Sequence, residues 1–304
     1  MVELNQKGGD VMRERNIIAD TYLLEHFYGS CSENSKKSIR CTGVEGKAET
    51  ISWLDVVLDG ESKCGRCEFK TEKQGFYYGK GEFSKDFQNR EYVCLSKIQS
   101  QEEFEKICEN FSRELKGIRI HGRVSDLSLL ERFVELEFVY LEGQRISHFW
   151  NMGCNPKLRA VTVFGNKYLI SLKGIEKAEN LECIQFLTPT SSIHTVKIDS
   201  LAPLADLPNL REVVLSHISP LDNNIDHLIH MPKLEYLWVS PNVFLTECYA
   251  KFEAKRFMLG HAYGIYLEEG ADIYPYGKGK RIMRTQAQKE RYLGEYYELM
   301  EAYK

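Results

Sequence analysis

One pattern recurs along the middle of the chain and constrains its fold more than anything else. Leu-x-x-(Leu/Ile/Val)-x-(apolar) begins at Leu115 (LKGIRI), Leu136 (LEFVYL), Leu158 (LRAVTV), Leu181 (LECIQF), Leu210 (LREVVL) and Leu234 (LEYLWV). The steps between starts are 21, 22, 23, 29 and 24 residues. Apolar residues also recur at steps of three ahead of these runs: Leu127, Leu130, Phe133; Leu172, Ile175, Ala178; Leu201, Leu204, Leu207. A step of three suits a 3-10 or short helical turn, and the alternation Leu237/Val239 suits a strand. Each unit therefore reads as a short strand plus a turn of helix. Neither part can bury its apolar side alone, so stacked units must share one core. Pro156, Pro208 and Pro232 fall two residues before a strand leucine, where proline costs no ladder hydrogen bond.

SLKGIEKAENLECIQF and SLAPLADLPNLREVVL resemble the leucine-rich repeats of the bacterial internalin type and the similar SDS22-like class. The resemblance covers roughly 115–243. It implies an α/β right-handed solenoid of about six repeats, with a parallel sheet on its concave side. The family usually places Asn after the strand, where its side chain bonds neighbouring backbone. LRAVTVFGN supplies one, Asn166; the other units have Gly, Ser, His or Thr near that place.

Alternate strand residues point to opposite sides. With Ile118, Ile120 and their equivalents in the core, the opposing residues form three columns. The first is Gly117, Phe138, Ala160, Cys183, Glu212, Tyr236. The second is Arg119, Tyr140, Thr162, Gln185, Val214, Trp238. The third is His121, Glu142, Phe164, Leu187, Ser216, Ser240. Two aromatic groups emerge: Phe138, Tyr140 and Phe164 near the first units, Tyr236 and Trp238 at the last. Contiguous exposed apolar surface marks interaction sites, and Tyr and Trp are frequent interface anchors. The expected partner-binding residues are Arg119, His121, Phe138, Tyr140, Glu142, Phe164, Gln185, Glu212, Tyr236 and Trp238. The competing reading is that the chain's own ends cover these aromatics. LTPTSSIHTV, 187–196, accounts for the long step and reads as a surface loop.

Solenoid ends need caps. Residues 1–112 read as an α+β cap or domain, 113–244 as the repeats, and 245–304 as a C-terminal cap of helix, hairpin and helix. In the first, ETISWLDVVLDG and REYVCLSKI read as strands. SQEEFEKICENFSREL reads as a helix opened by a Ser100/Glu103 capping box, with Phe104, Ile107, Cys108 and Phe111 on one face. In the last, LTECYAKFEAKRFM is helix-like, with Cys248, Phe252 and Phe257 placed to seal the stack. DIYPYGKGKRIM reads as a hairpin. The final helix carries Tyr292/Leu293, Tyr296 and Met300 on its apolar side.

Composition excludes some classes. The 304 residues carry a net charge of −4, which argues against a protein whose main task is holding nucleic acid. No run of 18 apolar residues is present, so no membrane span is expected. The first 16 residues lack an apolar export segment, and nine cysteines are scattered through the chain. Reduced thiols in a bacterial cytoplasm are the expectation.

Small motifs offer little chemistry. Cys64-Gly-Arg-Cys67 is one half of a zinc knuckle, and Cys31, Cys41 or His26 would have to complete it. The nine residues between Cys31 and Cys41 do not fit a knuckle, so ordinary thiols in a hairpin are expected, with no metal or cofactor. YGKG occurs at 78–81 and 276–279 and lacks the rest of a phosphate-binding loop. His227 and His230 read as helix-surface residues. The expectation is a non-enzymatic module that binds a protein partner through the concave face, as a regulatory or immunity protein. Two alternatives stay open: a self-assembling homo-oligomer, and a zinc-binding or enzymatic N-terminal domain with the repeats as a targeting arm.

Overall fold

The computed structural model describes residues 74–78, 91–188, 195–240, 242–255 and 275–304, with the side chains of 74–78, Tyr92, Cys94, Ser96 and Tyr236 left aside. The expected Cys64/Cys67 motif, ETISWLDVVLDG and Phe257 lie outside these residues, as does the loop 189–194.

Each leucine start becomes a strand. β3 (Gly117–Gly122), β4 (Phe138–Glu142), β5 (Ala160–Phe164), β6 (Cys183–Leu187), β8 (Glu212–Leu215) and β10 (Tyr236–Val239) lie side by side in one parallel sheet. Between β6 and β8 comes β7 (Val196–Ile198), and after β8 comes β9 (Ile218–Pro220). These two pair with each other as a separate two-stranded parallel sheet. Part of the long fourth step is thus a strand rather than loop alone.

The main sheet also crosses the expected boundary at residue 112. β1 (Gln74–Tyr78) and β2 (Tyr92–Ile98) extend it in the same direction, with Val93 opposite Ile118 and Leu95 opposite Ile120. The strand expected in REYVCLSKI is therefore in register with the repeats. The helix α1 (Gln101–Cys108) then occupies the place of the helical turns in later units. Ser100 Oγ caps it by accepting from Glu103 N, and Phe104, Ile107 and Cys108 are buried. Burial pushes the Cys108 thiol well above its usual range, so it packs as an inert apolar group.

The core lies on one side of the sheet. Leu115, Ile118, Ile120, Leu136, Val139, Leu141, Val161, Val163 and Leu181 meet the step-of-three residues Leu130, Phe133, Leu172, Ile175, Leu204 and Leu207. Those residues ride on a 3-10 turn at Ser128–Arg132, on simple turns, and on α2 (Ala202–Ala205); α3 (Asp226–Ile229) repeats the arrangement. His227 sits on α3, half-buried beside Asn224 at 3.2 Å, and His230 caps the helix's C-terminal end and is exposed.

Two devices set the register. At the strand entrances a row of residues alternates in charge across seven strands: Glu91, then the residue after each repeat leucine, Lys116, Glu137, Arg159, Glu182, Arg211 and Glu235. Their backbones are bonded one to the next, Lys116 N to Glu91 O through Glu235 N to Arg211 O. Side chains pair as Lys116–Glu91 at 2.8 Å, Arg159–Glu182 at 2.6 Å and Arg211–Glu235 at 2.7 Å. At the strand exits, amide side chains hold the turns. Asn166 Nδ2 donates to Ile146 O at 3.0 Å, as the repeat signature implies. One unit earlier, Gln144 Nε2 donates to Ile120 O at 2.8 Å and its Oε1 accepts from Val124 N at 3.3 Å. Asn166 is thus not alone in this role: Gln144, three residues after Leu141 as Asn166 is three after Val163, fills the same position.

After β10, α4 (Thr246–Lys255) and α5 (Gln286–Tyr303) pack together. Tyr249, Ala250 and Phe252 are buried on α4, Phe252 as expected, whereas Cys248 is half-buried. On α5, Tyr292, Tyr296 and Met300 are buried as expected, and Leu293 is half-buried. The tyrosines form a chain. Tyr249 stacks on Tyr276 with centroids 4.7 Å apart, Tyr276 lies 6.1 Å from Tyr296, and Tyr296 lies 5.8 Å from Tyr292. Of the expected hairpin, the Tyr276–Gly279 turn is described and the strand before it is not.

Candidate binding face

The three expected columns exist. Gly117, Phe138, Ala160, Cys183, Glu212 and Tyr236 are consecutive partners across the sheet, as are Arg119, Tyr140, Thr162, Gln185, Val214 and Trp238. His121, Glu142, Phe164 and Leu187 continue the third column. The sheet register therefore places Arg119, His121, Phe138, Tyr140, Glu142, Phe164, Gln185, Glu212, Tyr236 and Trp238 on one face.

That face is not uniformly open. Phe138, Ala160 and Cys183 have no exposed surface, and Tyr140 is 3% exposed. Arg119, Glu142, Thr162, Gln185 and Val214 are also buried. The sheet is thus buried on both sides through its middle, the environment of strands that read as near-continuous apolar runs. Of the expected binding residues, His121, Phe164, Glu212 and Trp238 are half-buried. Arg119, Phe138, Tyr140, Glu142 and Gln185 are buried.

Inside this second layer sits a polar cluster. Arg119 Nη2 donates to Glu142 Oε2 at 3.0 Å, with the two side chains 3% and 9% exposed. The Arg119 guanidinium also lies 5.1 Å from the centre of the Tyr140 ring. Thr162 Oγ1 donates to Gln185 Oε1 at 3.4 Å. A buried cation needs an anion and a polarisable neighbour, and Glu142 and Tyr140 supply both.

His121 sits at the margin of the cluster. Its Nδ1 accepts from Lys97 N at 3.4 Å. Burial, with Arg119 and Lys97 nearby, lowers its pKa, so the ring is neutral at physiological pH and can act as that acceptor. Lys97 has φ 58°, at the register shift between Leu95 and Ile98 in β2. The bulge brings Ile98 over Gly122, whose φ is 150°; a Cβ there would lie 2.2 Å from Ile98 O. Glycine is required at that crossing.

At the far end of the same face, Thr188 and Ser216 hydroxyls are 2.8 Å apart, and Ser240 Oγ accepts from His217 N at 2.9 Å. Tyr249 Oη donates to Ser240 O and accepts from Val243 N at 3.2 Å. This network ties the end of β10 to α4.

No group of three or more His, Cys, Asp or Glu side chains among the described residues could hold a metal ion. No described helix is long and apolar enough to cross a membrane.

No protein-family model matches the chain, and no curated protein matches it. Among solved structures it is similar to an internalin (inlF) from Listeria monocytogenes, at 15% identity and TM-score 0.42, over 53% of this chain and 45% of that one. It is also similar to internalin C2 (inlC2) of the same organism, at 13% identity and TM-score 0.39, over 50% and 65%. A leucine-rich-repeat protein of Leptospira interrogans matches at 14% identity and TM-score 0.32, over 52% and 46%. The chain spans about half the length of most of these structures. Its own repeats and parallel sheet form an α/β leucine-rich-repeat architecture.

Proposed function

We propose that the chain is a non-enzymatic leucine-rich-repeat module that binds a protein partner along the accessible margin of its second sheet face. The observation that carries this reading is the distribution of burial on that face. Arg119, Phe138, Tyr140, Glu142 and Gln185 are withdrawn into the interior, whereas His121, Phe164, Glu212 and Trp238 keep part of their surface. Two aromatics and two polar side chains at the rim of a rigid parallel sheet suit an interface anchor with polar specificity around it. Tyr236 shares the first column and joins the proposed contact surface. The buried residues then act as support that fixes the geometry of the rim. A stack of about six repeats with helical caps would hold the rim rigid over its whole length. The thiols of Cys108 and Cys183 are buried and those of Cys154 and Cys248 half-buried, an arrangement that suits a cytoplasmic module.

The test is site-specific photo-crosslinking in the native host. A photoreactive side chain at Phe164 or at Trp238 should yield an adduct with the same foreign protein. The same group at Ile170, which is 57% exposed in the connection after β5, should not. Adducts only with a second copy of the chain would favour self-assembly instead.

A further inference from the structure

A concentration of positive charge lies beyond the last strand of the sheet. From Pro275 to Lys289 the chain carries Lys278, Lys280, Arg281, Arg284 and Lys289 and no acidic residue, within a protein of net charge −4. Lys278, Lys280 and Arg281 are exposed, and none takes part in an ion pair among the described residues. The turn that carries them is anchored. Lys278 N donates to Phe244 O at 2.7 Å, and both Thr246 Oγ1 and Tyr292 Oη donate to Tyr276 O at 3.0 Å. Beside the turn is a shallow pocket of about 290 Å³. Ile282, Met283 and Tyr292 give it an apolar lining, with Lys280, Arg281 and Arg291 among the charged groups around it. Its one acid, Glu295, is engaged by Arg291 at 2.9 Å. Ile282 is 41% exposed.

We propose that this anchored basic turn and its pocket dock an acidic segment of a protein partner, with one apolar side chain of that segment in the pocket. The charge is complementary, the pocket has room for a single side chain, and the anchoring removes part of the ordering cost of binding. The first turn of α5 is not the ligand site, because Thr285 and Gln288 already cap it reciprocally. The overall negative charge disfavours a nucleic acid, and one exposed isoleucine is too little apolar surface to hold a membrane. This site is independent of the sheet rim, so either can fail alone.

The probe is a fluorescent peptide of glutamates flanking one leucine, followed by anisotropy with the full chain at low and high salt. Binding should be measurable at low salt, fall steeply with added salt, and weaken at least about tenfold in Lys280→Glu/Arg281→Glu. Ile282→Ala and a leucine-free peptide should each weaken it further. Lys278→Gln/Lys280→Gln serves as a milder variant should charge reversal disturb the fold, and it should weaken binding in the same direction. Absence of binding, equal binding by the variants, or tighter binding of phosphatidylserine vesicles or of single-stranded oligonucleotide would overturn the proposal.

Discussion

Arg119 on β3 and Glu142 on β4 form an ion pair at 3.0 Å in a layer where both side chains are almost fully withdrawn from water. Removing either partner leaves the other charge buried, which costs about 3 kcal/mol or more. Arg119→Met and Glu142→Leu should each lower stability by that amount in denaturant titration. The double substitution should cost much less than their sum, because two apolar side chains can fill the space together. Additive losses would mean that the pair is not coupled.

Gln144 and Asn166 do the same work in adjacent units. Each donates to a backbone carbonyl of the preceding unit, Ile120 O and Ile146 O, at 2.8 and 3.0 Å. Gln144→Ala and Asn166→Ala should therefore both destabilise, by about 1–3 kcal/mol, the cost of unsatisfied buried backbone groups. Chemical denaturation checks this, and a neutral Gln144→Ala would mean that its hydrogen bonds do not hold the turn.

Gly122→Ala should be among the most damaging small changes. The added methyl would meet Ile98 O at 2.2 Å, at a backbone φ that L-residues rarely adopt. Stability should fall by about 2 kcal/mol or more, and Lys97 should lose hydrogen-exchange protection as the bulge opens. Gly143→Ala makes the comparison. Its φ is 69° and nothing stands within 4 Å of the added group, so it should cost only the backbone term, about 1 kcal/mol.

Stability should fall as pH rises through neutrality, because of Glu253. Burial between α4 and α5 raises its carboxyl to about 7, and the polar group facing it is the buried Tyr296 hydroxyl. Tyr292 also lies within electrostatic reach of it. A carboxyl whose folded pKa lies above its unfolded value of 4.5 favours the fold in its neutral form. That contribution is complete below 4.5 and is lost as pH climbs through 7, by up to about tenfold in the docking equilibrium of α5 per unit between them. Hydrogen exchange of α5 across this range should show the trend in the wild type and not in Glu253→Gln.

The charged ladder at the strand entrances should matter little in isolation. Arg211 and Glu235 are exposed, so the mutual pKa shifts of the pair, upward for Arg211 and downward for Glu235, are screened by water. Arg211→Glu puts three acids in a row with Glu182 and Glu235, yet should cost only about 1 kcal/mol at low salt and less in high salt. A loss that is insensitive to salt would assign Arg211 a packing role.

The repeat strands were legible because each pairs a period-two run with a fixed leucine, and all six became neighbours in one sheet. REYVCLSKI was legible as a strand but not as part of the stack. It lacks the leucine, and only the opposition of Val93 to Ile118 reveals its register. Gln144 was overlooked for a similar reason: its spacing from Leu141 matched the signature, but its side chain is one methylene longer. The orientation of the binding face was legible in the alternation. Its burial was not, because periodicity tells which side a residue points to and not what lies over that side; Phe138 and Trp238 read alike and differ in exposure. The basic turn at Lys278–Arg284 was visible as charge, but not as an anchored platform, since the bonds from Thr246 and Tyr292 to Tyr276 span 30 and 16 residues.

The most direct measurement for the central claim is hydrogen–deuterium exchange on the chain with and without the partner recovered by crosslinking. New protection should appear at His121–Gly122, at Phe164–Gly165 and across β10. Protection confined to the helical turns at Ser128–Arg132 and Met152–Cys154, on the opposite side of the sheet, would contradict binding through the rim.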